Sequence, residues 1–347
     1  MATTPPPPPP PTPPTRKTPY DIMKVGEEYA SLVAAGLTQI AAPDDIVLGL
    51  KEIQAIRKRP IICYAANVIN AKVGAFTAID NTDDLPFDEL LNSVDATGKA
   101  LDIVLVTPGG SAQQVAKFVD KIRAKFDDVA FIILQSAMSA GTIFATSGND
   151  IIMGPSSYLG PTDPQGPNRD GVFVPLQGVL TVIQDIQDRG KARMLKNEKP
   201  DWTDVQILNR LDAKEIGNAI QATAYSKEMV ENYLHDYKFK NWTEHQTTKV
   251  GIPVTPDEKR KRAGEIAERL ARASKWKSHS RGIPRDVLWS ECELKITHAE
   301  SIKGLDVAMR RLWAVMHFLF ERTSFAKLFI SESYSVIKLH DPKTATK

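Results

Sequence analysis

Apolar residues first recur at helical spacing. From Tyr20 to about Arg59 they stand at Ile22, Val25, Tyr29, Leu32 and Val33, then at Ile46, Leu48, Leu50, Ile53 and Ile56, a stripe that predicts helices. At Pro60 the pattern changes: Ile61–Ala65 (I-I-C-Y-A) and Val73–Ile79 (V-G-A-F-T-A-I) are short apolar runs, with a polar turn expected at Asn81–Asp84. Runs of this kind fit strands covered on both faces. A short helix is predicted over Phe87–Val94. Leu101–Val106 (L-D-I-V-L-V) reads as a second buried strand, running into Thr107-Pro108-Gly109-Gly110.

Beyond that double glycine, Ala112, Val115, Ala116, Phe118, Val119 and Ile122 form a helical stripe within Ser111–Phe126, with Ser111 as its cap. Val129–Leu134 repeats the strand pattern, Met138–Ser147 the helix pattern, and Ile151–Met153 adds a short strand. The β-α-β-α-β order predicts an α/β fold: a parallel sheet with right-handed crossovers, flanking helices and helical additions. Such sheets bind ligands beyond the carboxyl ends of their strands, here Thr107–Gly110 and Gln135–Ser139. Residues 176–250 read as mostly helical, Pro256–Ala273 as a highly charged helix, and Leu305–Phe320 as a last helical stretch. Leu312–Phe320 is apolar almost all round, which calls for a covering surface and points to a homo-oligomer.

Composition narrows the function classes. In 347 residues, 42% are hydrophobic and 25% charged, the balance of a folded globular chain. Forty-four basic against 42 acidic residues leave a net charge of +2, so no whole-molecule field attracts nucleic acid or an anionic membrane. The cluster Lys259-Arg260-Lys261-Arg262 is flanked by Asp257, Glu258, Glu265 and Glu268 and reads as a solvated helix face. Cys63 and Cys292 are the only cysteines and are far apart, so neither a disulfide framework nor a thiolate metal site is expected, and a reducing cytoplasm fits best. No basic segment leads into an apolar signal region, and the apolar runs fall short of the roughly 18–20 residues needed to span a bilayer. Ten of the 24 prolines lie in residues 1–19; this tail reads as a solvated linker, with a proline-binding partner as the alternative. The six histidines lack metal-ligand spacing and no G-x-x-x-x-G-K-[ST] loop exists, so no cofactor is expected and any ATP dependence falls to a separate ATPase partner.

The two strand ends supply what acyl chemistry needs. Ser136-Ala137-Met138-Ser139-Ala140-Gly141-Thr142 combines a serine at a strand-to-helix turn with small neighbours, and Gly109-Gly110 can lend backbone amides to an oxyanion hole. Ser139 is the best nucleophile candidate; the competing reading is that Ser136 and Ser139 only cap the helix. Asp163 and Gln165, within Gly160-Pro161-Thr162-Asp163-Pro164-Gln165, fit a rigid turn better than a catalytic element.

At these residues the chain resembles a family. Residues 106–119 (V-T-P-G-G-S-A-Q-Q-V-A-K-F-V) and 135–165, which include A-M-S-A-G-T and L-G-P-T-D-P-Q, are similar to the serine dehydrogenase proteinase family. That family belongs to the Clp/crotonase-fold peptidases, with the Clp protease proteolytic subunit and signal peptide peptidase A as relatives. The three motif blocks occur in the family's order; Ala140 replaces the usual glycine and Val106 stands where a histidine is common. Weaker similarity runs through Glu265–Ile283. The resemblance implies a Clp/crotonase-like peptidase domain over residues 60–300, between a helical segment at 20–59 and a C-terminal helix and tail at 301–347. It implies a serine endopeptidase acting on protein or peptide substrates, with Ser139 as nucleophile, Gly110 and Ala140 as oxyanion donors and Gly109 shaping the turn. The Clp subunit's histidine has no counterpart near Leu159-Gly160-Pro161. The signal peptide peptidase relatives use a serine–lysine dyad instead, in which burial strips the lysine of its proton. The candidate lysines are Lys227, ranked first, then Lys214 and Lys191, with His279 as a distant alternative base. Two other readings remain open: a crotonase-like acyl-CoA enzyme, and a non-catalytic scaffold that kept the fold.

Overall fold

Strand β1, Ile61–Ala66, is buried along its whole length, and its side chains alternate between two cores. Ile62 and Tyr64 enter one, while Ile61, Cys63 and Ala65 enter the other. The computed structural model describes residues 16–167, 173–276 and 278–340; most of the proline-rich tail, residues 1–15, lies outside them. Strands β2 (Ala100–Thr107), β3 (Asp128–Ala137) and β4 (Asp150–Met153) follow β1 in parallel register. Between them the chain makes the predicted helices Ala112–Arg123 and Ala140–Thr146. The Ser111 hydroxyl caps the first, accepting from the Gln114 amide at 3.2 Å.

A short strand β5 (Tyr158–Leu159) pairs in parallel with the end of β3, Ala137 opposite Leu159. Strands β6 (Gln165–Pro167) and β7 (Phe173–Pro175) make a separate hairpin. Strand β8 (Ile283–Pro284) lies antiparallel to β5, and β9 (Thr297–His298) closes one edge beside β4. Strands β10 (Phe325–Ile330) and β11 (Ser335–Leu339) extend the other edge antiparallel to β1, giving the order β11-β10-β1-β2-β3-β4-β9. The sheet is thus parallel at its centre, with helices on both faces, the α/β architecture expected.

One face carries the helices Asp84–Asn92, Ala112–Arg123, Ala140–Thr146, Ala213–Tyr233 and Pro256–Ala271, and Phe87, Phe118, Phe131 and Phe144 pack there edge-on or stacked. The other face carries Asp44–Arg57 and Leu305–Arg322. This second layer corrects an expectation. The Leu305–Arg322 helix is apolar all round because it is covered twice within the chain, by the sheet through Leu312, Val315 and Phe320 and by Leu32 through Ala314 and Phe318. It therefore gives no argument for self-association.

Two further differences have local causes. Val73–Ile79 is no strand: Asn70 accepts from the Lys72 amide and starts a 3-10 turn over Ala71–Phe76, leaving only Ile79 as a single bridge to Gly110. Strands β10 and β11 are not announced by the hydrophobic pattern because a buried lysine, Lys327, interrupts the first and the second is only half-buried. Among the described residues no helix is long and apolar enough to cross a membrane. Arg260 and Arg262 of the basic cluster are engaged with Asn232 and Glu231, and with Glu265 and Glu293.

Candidate active site

Beyond Ala137 the chain must leave the sheet and start a helix within two residues. The Met138 amide donates to the Thr107 carbonyl at 3.0 Å, and the turn then forces Ser139 to φ 50° and ψ −117°. A side-chain-bearing residue in such a region stores about 1–3 kcal/mol of strain and persists only where its surroundings over-determine it. Here the Gly141 amide closes on Met138 O at 2.7 Å and the Thr142 amide on Ser139 O at 2.9 Å. The Thr142 hydroxyl accepts from the Gly160 amide at 2.8 Å and stands 2.8 Å from the Ala137 carbonyl, tying the turn to the end of β5. Ser139 occupies the cap position of Ala140–Thr146, yet its side chain caps no amide. Its half-buried hydroxyl has no hydrogen-bond partner among the described residues, so helix capping does not account for it.

The neighbouring loop is shaped by contact with that turn. A Cβ on Gly109, at φ +101°, would stand 2.6 Å from Met138 O and 2.8 Å from Ser139 Cβ. Gly110, at φ +142°, lies against the backbone of Ile79, where no Cβ fits. The Ile79 amide donates to Gly109 O at 2.7 Å and Ile79 O accepts from the Ser111 amide at 2.8 Å. In a parallel bridge of this kind the residue between those two contacts turns its own amide away from the partner. The amides of Gly110 and Ala140 accordingly donate to no backbone carbonyl among the described residues. Two unpaired amides beside an unpaired serine hydroxyl are suited to stabilise charge developing on a carbonyl oxygen.

The basic candidates are placed very differently. Lys227 Nζ donates to Glu268 Oε2 at 2.5 Å on a partly exposed surface; Lys191 is exposed beside Asp188, and Lys214 is exposed in the first turn of its helix. His279 is mostly buried and its Nδ1 lies 3.1 Å from Oδ1 of the fully buried Asp163. That pair lies on the two segments that extend from the strands beside the Ser139 turn. Gly160, one residue past β5, abuts Ser139, its Cβ position falling 3.0 Å from the Ser139 amide nitrogen. Leu159 pairs with Ile283 of β8, so Asp163 and His279 lie on the continuation of these two antiparallel segments beyond Gly160. Asp163 Oδ2 and Thr162 Oγ1 are buried with no hydrogen-bond partner among the described residues, while the Ser226 hydroxyl donates to the Thr162 carbonyl at 2.6 Å and joins this strip to the Ala213–Tyr233 helix. Neither cysteine competes as a nucleophile: burial pushes the Cys63 thiol up to about 12 and the Cys292 thiol up to about 11. A concavity of about 530 Å³ lined by Arg16, Asp45, Leu48, Ser331 and Tyr334 includes none of these residues.

One group was hidden from the sequence. Asp83, within the polar turn expected at Asn81–Asp84, and Asp80 just before that turn face Lys327 and Lys338 from the sheet edge. Burial and then the facing Asp83 and Asp80 carboxylates push the Tyr64 phenol well above its ordinary range. Burial opposes ionisation of Asp80, but hydrogen bonds from Thr82 and the Lys327 ammonium outweigh it and hold that carboxyl below the usual range. The only sequence signal is a lysine flanked by apolar residues in Phe325-Ala326-Lys327-Leu328.

The sequence model of the ClpP-like SDH-type serine proteinases matches residues 69–261, more than half of the chain. The match includes Gly109, Gly110, Ser139, Asp163 and Lys227 and stops before His279. Two uncharacterized proteins of Methanocaldococcus jannaschii are similar over about 80 residues, at 32% and 34% identity, each alignment covering 22% of this chain. The chain spans only 28% and 27% of the length of those relatives. A mutant of the 1510-N membrane-bound stomatin-specific protease aligns with 63% of this chain and 74% of its own at 15% identity, with a TM-score of 0.36.

Proposed function

The chain belongs to the family of ClpP-like SDH-type serine proteinases, and on that footing we propose that it hydrolyses peptide bonds through an acyl-enzyme on Ser139. The observation that carries this reading is the strained turn that presents the uncapped Ser139 hydroxyl beside two unpaired amides. Ser139 Oγ adds to the scissile carbonyl and gives its proton to a base. The carbonyl oxygen, now negative, takes hydrogen bonds from the amides of Gly110 and Ala140, while Gly109 keeps the loop close enough to converge with them. The amine leaves with the base's proton, and water repeats the sequence on the ester.

For the base, the arrangement favours His279 over lysine. Asp163 engages one ring nitrogen, so on this reading the other takes the Ser139 proton, with Asp163 in the orienting role a buried carboxylate plays beside an imidazole. The Ser–Lys dyad expected on Lys227 lacks the burial such a dyad relies on, because this lysine is paired with Glu268 on a partly exposed surface. Lys191 and Lys214 are more exposed still.

Labelling with a fluorophosphonate, followed by hydrolysis of a p-nitrophenyl ester and of casein, tests the reading. The expected result is label on Ser139, with label and turnover both lost in Ser139→Ala at an unchanged melting temperature. Turnover retained by that variant ends the nucleophile assignment, and tight binding of a CoA thioester without labelling selects the acyl-CoA alternative.

A further inference from the structure

The double glycine of the proposed oxyanion loop is bridged from behind by Ile79, whose side chain is buried in the core and whose following turn is held by charges. Asp80, the next residue, has its amide on the Asp83 carboxylate at 3.2 Å and its own side chain on the Thr82 amide at 2.7 Å. Asp83 is fully buried. Its carboxylate accepts from Tyr64 OH at 2.9 Å, from Lys327 Nζ at 2.8 and 2.9 Å and from Lys338 Nζ at 2.6 Å. Lys327, 1% exposed, reaches it from β10, 244 residues away in sequence. Lys338, on β11, also donates to the Thr82 carbonyl at 2.7 Å. Two ammonium groups from the antiparallel edge of the sheet thus hold the 3-10 turn that leads from Ile79 into the Asp84–Asn92 helix, and on its other side Ile79 meets Gly110 through a single bridge.

We propose that Asp83, Lys327 and Lys338 are positioning residues for the Gly110 amide: they fix the Asp80–Asp83 turn, the turn fixes Ile79, and Ile79 sets the direction in which Gly110 points. The inference rests on the acyl-enzyme reading for its catalytic consequence, though not for its structural part. Burial of a lysine here has a functional rationale that stability alone lacks, because replacing a buried ion pair by apolar groups is often neutral or stabilising. Misplacing a catalytic group by about 1 Å costs roughly 100-fold in rate, so a turn that carries an oxyanion donor gains from rigid anchoring.

The test uses the full-length chain and the variants Lys327→Met and Lys338→Met. The second side chain is partly exposed, so that variant keeps the fold and carries the test should the first fail to fold. Amide hydrogen exchange is followed at Ile79 and Ser111, with Val104 and Ile132 in the sheet as references, and kcat and KM are measured on a p-nitrophenyl ester. Exchange at Ile79 and Ser111 is expected to rise about tenfold in Lys327→Met while the reference amides hold. With it, kcat falls roughly 10- to 100-fold at unchanged KM, and Lys338→Met shows the same pattern with smaller amplitude. Unchanged exchange at both amides overturns the positioning role, and faster exchange with unchanged kcat overturns its catalytic consequence. Absence of Ser139-dependent labelling in the unmodified chain defeats the acyl-enzyme reading instead, and the exchange measurement still decides whether the charges hold the loop.

Discussion

The two sides of the Ser139 turn are built from different materials. On the side of the double glycine, everything that faces the serine is backbone: Gly109 touches it, Gly110 and Ala140 offer amides, and Ile79 stands behind. On the side of Gly160, what matters is carried by side chains, Asp163 after β5 and His279 before β8. Backbone is placed by the sheet and cannot change rotamer, so the first side is preorganised, the condition under which hydrogen-bond donors act most strongly on a developing charge. The second side needs an imidazole to swing toward a hydroxyl that has no partner among the described residues. Catalytic contacts of that kind are often long before substrate arrives. In the proposed mechanism one side stabilises the oxyanion at no cost of reorganisation, while the other moves the proton.

The largest expected effect falls on the side-chain wall. His279→Ala removes the proposed base and is expected to lower kcat/KM by about 100- to 10,000-fold, read beside a thermal melt because the substitution also takes the imidazole from the buried Asp163 carboxylate. Hydrolysis of a p-nitrophenyl ester by the two proteins side by side measures that loss. Turnover unchanged by the substitution would assign the base elsewhere and dissolve the contrast between the walls.

Gly110→Ala attacks the backbone wall. The added methyl has no room against Ile79, and φ +142° strains any side-chain-bearing residue. The loop must shift, and the cost is expected to be about 100- to 1,000-fold in kcat, the range for one lost oxyanion donor, together with about 1–3 kcal/mol of stability. Steady-state kinetics beside thermal melts separate the two. A normal kcat would mean that Gly110 is only a steric accommodation.

These contrasts track what could be read from the sequence. Thr107–Gly110 and Ala137–Gly141 were legible because backbone demands are local: a glycine at positive φ and a run of small residues declare themselves within a few positions. Pairing across the fold does not. Asp163 and His279 are 116 residues apart, and each alone looked structural; the ranking of Lys227 followed a helix pattern blind to Glu268 across the neighbouring helix. Val73–Ile79 misleads because apolar content does not report pairing: Asn70 starts a 3-10 turn, and among the described side chains of that run Val73, Thr77 and Ile79 are the buried ones. The Leu305–Arg322 helix misled in the opposite sense, since all-round apolarity cannot distinguish a partner chain from two layers of the same chain.

The smallest expected effect is the most discriminating for the proton-transfer wall. Lys227→Met keeps the length and apolar stem of the side chain and removes only the ammonium on Glu268. With Lys227 about a third exposed and Glu268 more so, solvent screening limits that ion pair to about 0–1 kcal/mol. The neighbouring Ser226 retains its hydrogen bond to the Thr162 carbonyl, so the strip leading to Asp163 stays anchored. Hydrolysis and fluorophosphonate labelling are therefore expected to remain near the unmodified rate. A dyad would behave otherwise, because a lysine acting as base must spend much of its time uncharged and its loss removes proton transfer altogether, a deficit of about 100-fold or more. A deficit of that size in Lys227→Met, with His279→Ala active, would move the proton to the helix layer and leave Asp163 and His279 as a structural clasp.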